Sequence, residues 1–141
     1  MSMKIFWAGI ISGLIMAGFL RVVESMTQIK VYTLLLNVDY IPLARAATGI
    51  EWLELSMHMV IAVLLSWFIA KFIIPRSPRR ERSIAIIVMF ALIIGILLFP
   101  STVMSDRTPE ITDAQAWMWW LSAHLLYGWV LALLLVKHSE S

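Results

Sequence analysis

The chain is organised around two similar segments, Leu55-Ser56-Met57-His58-Met59-Val60 and Leu121-Ser122-Ala123-His124-Leu125-Leu126. Each segment places one histidine roughly two helical turns inside a long apolar stretch. Ionisable side chains are costly in such a setting, and they commonly mark the functional sites of membrane proteins. The two segments therefore predict two membrane-spanning helices that each carry a buried histidine.

The composition is that of an integral membrane protein. Of the 141 residues, 61% are hydrophobic and 14% are charged, whereas a soluble domain is about 45–50% apolar and about 25% charged. This length accommodates a single membrane domain over residues 1–141, without a separate soluble module. Cysteine is absent, which excludes disulfides, thiolate catalysis and cysteine-ligated metal centres.

Four apolar segments are long enough to cross the membrane, which requires about 20 residues of helix. They are predicted at about residues 5–24, 50–74, 84–100 and 115–136. The fold class is therefore an all-α membrane protein with four transmembrane helices. The segment 32–38 is too short to span the membrane and too apolar for a solvated loop, so it predicts a short interfacial helix between spans 1 and 2.

The loop between spans 2 and 3 indicates the orientation of the chain. It carries four arginines, Arg76, Arg79, Arg80 and Arg82. Basic residues accumulate in cytoplasmic loops, so this loop and both termini are predicted to be cytoplasmic. The orientation of the chain in the membrane explains these four arginines better than nucleic-acid binding does. The expected partner is the lipid bilayer, and no nucleic acid is expected.

The two histidine segments predict an internal repeat. Spans 2 and 4 both enter from the outer side, so the halves of the chain form two hairpins related by a parallel axis along the membrane normal. Aligning His58 with His124 places Ala62 opposite Gly128. If these small residues let spans 2 and 4 approach closely, the two histidines face one another across the bundle core.

The same alignment predicts an asymmetric polar site in the outer half of the membrane. Two carboxylates precede His58 on its own helical face, whereas the matching positions before His124 carry aromatic residues. The acids of the site thus come from the first half of the chain and an aromatic wall comes from the second. The predicted polar residues are His58, His124, Glu54 and Glu51, and the predicted wall is Trp117, Trp120 and Tyr127.

Gly9, Gly13 and Ala17 recur at every fourth residue of span 1 and form a ridge of small residues. Such ridges allow close helix packing. The partner of the ridge is either another helix of this chain or a second copy in a homo-oligomer, and the pattern leaves both open. Arg21 and Glu24 lie three residues apart at the end of span 1, where they are expected to form an ion pair.

Several short stretches carry a family resemblance. They are Ala8-Gly9-Ile10-Ile11-Ser12-Gly13, Met57-His58-Met59-Val60, Leu98-Phe99-Pro100 with Thr108-Pro109, and His124-Leu125-Leu126 followed by an aromatic residue. Together they resemble the YagU-like family of small bacterial inner-membrane proteins, whose biochemical role is unassigned. The resemblance implies an inner-membrane location and a link to acid or envelope stress, but no reaction. In the family pattern an acid precedes the second histidine by one turn; here that position is Trp120.

Three functions are compatible with this pattern. The first is ion or proton handling, because intramembrane carboxylates and histidines commonly mark proton relays. The second is haem binding in a redox protein, with His58 and His124 as axial ligands. The third is a structural or accessory membrane subunit whose histidines form hydrogen bonds between helices and fix their register.

An enzyme is the function that the sequence favours least. Metalloprotease and phosphate-loop motifs are absent, and Ser56 and Ser122 point to other helical faces than the histidines. Two histidines and a carboxylate suit zinc or iron, but no metal site is predicted on that ground alone. His138 lies in the C-terminal tail, where it is expected to be exposed to solvent.

Overall fold

The computed structural model describes residues 1–76 and 79–136. These described residues form five α-helices, α1 (Met3–Thr27), α2 (Val31–Leu36), α3 (Glu51–Phe68), α4 (Arg80–Leu98) and α5 (Ala114–Leu135). Helix α3 continues through a π-helical segment and a 3₁₀ turn to Arg76, and α4 continues through the 3₁₀ segment Phe99–Met104. A further 3₁₀ segment, Pro42–Ala47, precedes α3.

In the part of the chain that the structure describes, four helical segments are long and apolar enough to cross a membrane: Met3–Thr27, Glu51–Arg76, Arg80–Met104 and Ala114–Leu135. The chain is thus a multi-pass helical protein, and the predicted fold class is confirmed. The third segment begins at Arg80, earlier than predicted, because long basic side chains at a helix end can extend towards the aqueous interface. The short helix α2 lies where the apolar segment after span 1 predicted it.

Local polar groups determine where the helices begin. The Asp113 carboxylate accepts hydrogen bonds from the backbone N–H groups of Gln115 and Ala116, both at 3.0 Å, and so caps α5. The turn before α3 passes through Gly49 at φ 82°, a left-handed conformation that favours glycine. The Asp113 cap and the Gly49 turn thus place the first turns of the two histidine-bearing helices at the end of the bundle opposite the arginine loop.

The ridge of small residues on α1 packs against α3 of the same chain. A Cβ atom on Gly9 would lie 2.8 Å from the Cα of Val63, and one on Gly13 would lie 3.0 Å from the Cβ of Ala62. Ala17 of the ridge is also buried. The glycines of the ridge are therefore used within the chain and are not free to form a seam between two copies.

The two small residues aligned by the repeat make corresponding contacts within the two hairpins. Ala62 of α3 meets Gly13 of α1, and Gly128 of α5 meets Ala91 and Val88 of α4. The structure thus differs from the expectation that Ala62 and Gly128 bring α3 and α5 together. Each residue instead joins its helix to the preceding spanning helix of its own hairpin.

The packing places α3 and α5 on opposite sides of the bundle interior. Helix α1 packs on both α3 and α5, and α4 packs on α5. The contact of α3 with α4 is made through the π-helical segment Ile69–Ile73, near the arginine loop. The histidines of α3 and α5 therefore point into a space bounded by α1 on one side and by α4 on the other.

The expected ion pair within α1 is replaced by contacts to other elements. Arg21 pairs with Glu51 at the start of α3. Glu24 accepts hydrogen bonds from the backbone N–H of Thr33 at 2.8 Å and from its hydroxyl at 2.7 Å, which ties α2 to α1. The prediction from the three-residue spacing was wrong because partners outside the helix compete for both charges.

The basic loop lies where α3 ends and α4 begins. Arg76 donates to the Phe72 carbonyl at 2.5 Å, and Arg79 and Arg82 are exposed while Arg80 is half-buried. Residues 77 and 78 of this loop lie outside the described residues, as does His138, for which solvent exposure was expected.

Candidate functional site

His58 and His124 line one cavity inside the bundle. The cavity has a volume of about 80 Å³, which is room for several water molecules at about 10–15 Å³ each. The chain therefore brings its two repeated histidines together within a single protomer.

The orientation of His124 is determined by its own helix and by α4. His124 is 5% exposed, and its ring Nδ1 lies 2.9 Å from the Trp120 carbonyl oxygen. Because a carbonyl only accepts, Nδ1 carries the hydrogen and donates it. A Cβ atom on Gly95 would lie 2.7 Å from the ring, so glycine is needed there. The remaining nitrogen, Nε2, is the one that can accept a proton.

His58 has a buried ring nitrogen without a partner. Its Nε2 forms no hydrogen bond with any residue that the structure describes. Leaving such an atom unsatisfied costs about 1–3 kcal/mol. The ring also lines a second pocket of about 190 Å³, together with Asn37, Tyr40 and Glu54. His58 therefore lines both the cavity and the second pocket.

Two of the three predicted aromatic residues form a wall of the cavity. Trp120 donates from Nε1 to the Gly95 carbonyl at 2.9 Å, and the Tyr127 hydroxyl donates to the Ala62 carbonyl at 3.3 Å. These bonds join α5 to α4 and to α3. Trp117 is placed differently: it stacks on Phe99 with ring centroids 4.0 Å apart, and it is not part of the cavity lining.

Glu54 is buried, but its carboxylate is bonded to groups other than His58. It is 2% exposed and accepts hydrogen bonds from Arg107 at 2.8 and 3.4 Å. The backbone N–H of Gly49 donates to the same carboxylate at 3.0 Å. Hydrogen bonding to Glu54 raises the pKa of Arg107. Glu54 and His58 therefore share the second pocket, although the ion pair satisfies the acid.

Glu51 lies at the outer edge of the bundle. Its side chain is 53% exposed and accepts a hydrogen bond from the Tyr32 hydroxyl at 2.9 Å, besides its pairing with Arg21. It lines neither the cavity nor the second pocket. Of the four predicted polar residues, the structure thus brings His58 and His124 into one cavity, places Glu54 next to it and leaves Glu51 outside.

The sequence interpretation missed Arg107, Asn37 and Tyr40. Arg107 is the lone base of its otherwise acidic loop, and Asn37 directly follows three leucines; both irregularities were visible signals. Burial, and then the charge of Asp39, raise the pKa of Tyr40, so its hydroxyl keeps its proton at neutral pH. A buried amide and a protonated phenol thus complete the lining of the second pocket.

The cavity fits neither a metal centre nor a haem. Among residues 1–76 and 79–136, no three histidine or carboxylate side chains come together as metal ligands would. A cavity of about 80 Å³ is far smaller than a porphyrin ring. The site therefore favours protons or small ligands.

Comparisons with protein-family models, curated proteins and solved structures give no match. The interpretation of the site therefore rests on its geometry. The resemblance to the YagU-like family stays a prediction from the short motifs of the sequence.

Proposed function

We propose that this protein binds and exchanges protons within the membrane through His58 and His124. The observation that carries the proposal is that both histidines line one cavity, where the buried Nε2 of His58 has no partner in the described part of the chain. Histidine is the side chain whose charge changes most readily near neutral pH. Two rings that line one cavity can therefore each accept a proton from it.

Polar residues extend from the acidic loop to the histidines. Arg107 and Glu54 form the outer end of this series, the second pocket connects Glu54 to His58, and the cavity connects His58 to His124. Beyond Tyr127, the buried residues of α5 are small or apolar. This arrangement supports proton exchange with the acidic-loop side and a role in responding to acid, in keeping with the family resemblance.

The hydrogen bonds give less support to the alternative function, in which the histidines fix the register of the helices. A register-fixing histidine would bond to a neighbouring helix. Among the residues described, His124 bonds to the carbonyl of its own helix, and His58 Nε2 has no partner. The bonds that do join the helices come from Trp120 and Tyr127.

Histidine-specific ¹⁵N NMR of the protein in bilayers tests the proposal. On acidification from neutral pH, we expect the ring signals of His58 and His124 to titrate as a coupled pair. His58→Gln should therefore change the titration of His124, and His124→Gln should change that of His58. His138→Gln is the matched control and should change neither. Rings that stay neutral down to the pH at which the protein unfolds contradict the proposal.

We further propose that the protein lies in a bacterial inner membrane with the arginine loop and both termini in the cytoplasm. The four arginines of that loop support this orientation. Because the chain has no cysteine, single-cysteine variants report it cleanly. In intact cells, we expect a membrane-impermeant maleimide to label Thr112→Cys, and to label Ser2→Cys only after permeabilisation. The reverse pattern would place the histidine site on the cytoplasmic side.

A further inference from the structure

Helices α3 and α4 diverge away from the arginine loop. Near the loop, Ile69–Ile73 packs on α4, and Phe68 stacks on Phe90 with ring centroids 5.9 Å apart. In an exact two-hairpin repeat, α1 corresponds to α4 and α3 corresponds to α5. Helices α3 and α4 would then pack along their length as α1 and α5 do. Instead, the histidine cavity extends between the outer halves of α3 and α4. This departure from the repeat opens the bundle at the level of the histidines.

The opening has an apolar rim on the outer surface of the spanning helices. Ile61 of α3 and Leu98 of α4 both line the cavity, and they are 52% and 43% exposed. Exposed apolar side chains at this depth of a spanning helix contact lipid tails. This rim gives a molecule dissolved in the bilayer a lateral approach to the cavity that His58 lines, without passage through the aqueous loops.

The second pocket enlarges this site and supplies another unpaired donor. It shares His58, Ile61 and Tyr40 with the cavity. Asn37 also lines it and is 2% exposed, and its Nδ2 has no acceptor among the residues that the structure describes. Two side chains with buried, unpaired nitrogens thus line the second pocket, which shares part of its mostly apolar wall with the cavity. Such polar groups in an apolar site provide orientation and specificity for a ligand.

The charges around the pocket favour a neutral ligand. Glu54 lines the pocket, and its carboxylate is already bonded to Arg107. An anionic head would be repelled by Glu54, and a cationic head would compete with Arg107, so either would disturb a buried ion pair. A carbonyl oxygen accepts a hydrogen bond from Asn37 Nδ2, and also from His58 Nε2 when that atom carries hydrogen, without adding charge.

We propose that the cleft between α3 and α4 binds a lipid-soluble molecule with a neutral carbonyl head, of the quinone class. The ring carbonyls contact Asn37 and His58, the ring packs against apolar walls that include Tyr40, and the tail extends past Ile61 into the bilayer. Binding requires no change in the charge of either histidine. This inference therefore stands apart from the proposed exchange of protons.

Photolabelling of the protein in lipid nanodiscs tests this site. The probe is an azidobenzoquinone with a decyl tail. We expect saturable labelling of α3 and of the segment 35–41, whose residues line the second pocket. Decylbenzoquinone should compete with the probe. Decylbenzene, which has the ring and the tail but lacks the carbonyls, and decanol, which has a hydroxyl head, should not compete.

Two variants and a matched control locate the binding site. Ile61→Trp narrows the opening at an exposed position that tolerates a larger side chain, and we expect it to weaken binding about tenfold or more. Asn37→Leu removes a hydrogen-bond donor, with an expected loss of about tenfold. Leu64→Trp changes a residue of the same helix that is 59% exposed and outside both linings. This control should bind the probe like the wild type.

The possible outcomes separate this inference from the proton proposal. Equal competition by decylbenzene or decanol, or labelling that survives Ile61→Trp, overturns the quinone assignment. All labelling is measured at one neutral pH. If the labelling experiment fails, the titration of the histidines by NMR is therefore still an independent test of the proton proposal. Histidines that never titrate would overturn the proton proposal and leave saturable, carbonyl-dependent labelling standing.

Discussion

Replacing Arg107 with alanine is expected to lower the free energy of unfolding by about 3 kcal/mol, because the Glu54 carboxylate then remains buried without its cation. Glu54 has a side chain that is 3% exposed, whereas that of Arg107 is 33% exposed. Because Arg107 is partly exposed, we expect a loss of stability at the lower end of the range measured when one partner of a buried ion pair is removed. Denaturant unfolding of the purified protein in detergent micelles measures the change.

Two further variants separate the ion pair from a general effect of removing an arginine. Arg45→Ala removes an exposed arginine and should change stability by less than about 0.5 kcal/mol. Glu54→Gln combined with Arg107→Ala removes both charges, and it should recover much of the loss because no unpaired carboxylate remains. An Arg107→Ala variant as stable as the wild type would show that the pair contributes nothing.

The second large loss of stability is expected from a substitution at the contact between α1 and α3. Gly9→Ala should destabilise the protein by about 1–3 kcal/mol, because overpacking a tight contact forces backbone shifts. The added Cβ would lie 2.8 Å from the Cα of Val63, a backbone atom that cannot rotate away. The same unfolding measurement applies, with bilayer insertion checked separately.

Gly18→Ala is the matched control for this contact. It lies in the same helix, and a Cβ atom there would meet no described atom within 4 Å. Since alanine is a better helix former than glycine by about 1 kcal/mol, Gly18→Ala should leave stability unchanged or raise it. Equal destabilisation by both substitutions would contradict this account, because Gly18 lacks the contact with α3 to which the loss at Gly9 is attributed.

Hydrophobicity and periodicity predict the spanning helices and the histidine face because the bilayer acts on every residue of a span. Apolar runs must cross it as helices, and an intramembrane histidine must turn towards the protein interior. This reasoning predicted that both histidines face the interior, where the structure buries His124 and half-buries His58. It also placed α2 correctly, since a short apolar segment between spans has few alternatives.

Contacts between distant parts of the chain could not be predicted from spacing. Glu54 is one helical turn from His58, but it pairs with Arg107 from a loop far along the chain. Likewise, small residues show which face of a helix can pack closely, but not which helix it meets. Ala62 therefore contacts α1, and Gly128 contacts α4. The open contact between α3 and α4, which shapes the site, leaves no periodic signal in the sequence.

The measurement that tests the central claim most directly is the through-space ¹⁵N–¹H correlation between the rings of His58 and His124 in lipid bilayers. We expect a cross-peak between the two rings within one protomer, preserved when labelled protein is diluted into unlabelled protein, with His124 in the Nδ1–H form that donates to Trp120. A cross-peak lost on dilution, or His124 protonated at Nε2 alone, would contradict the shared cavity.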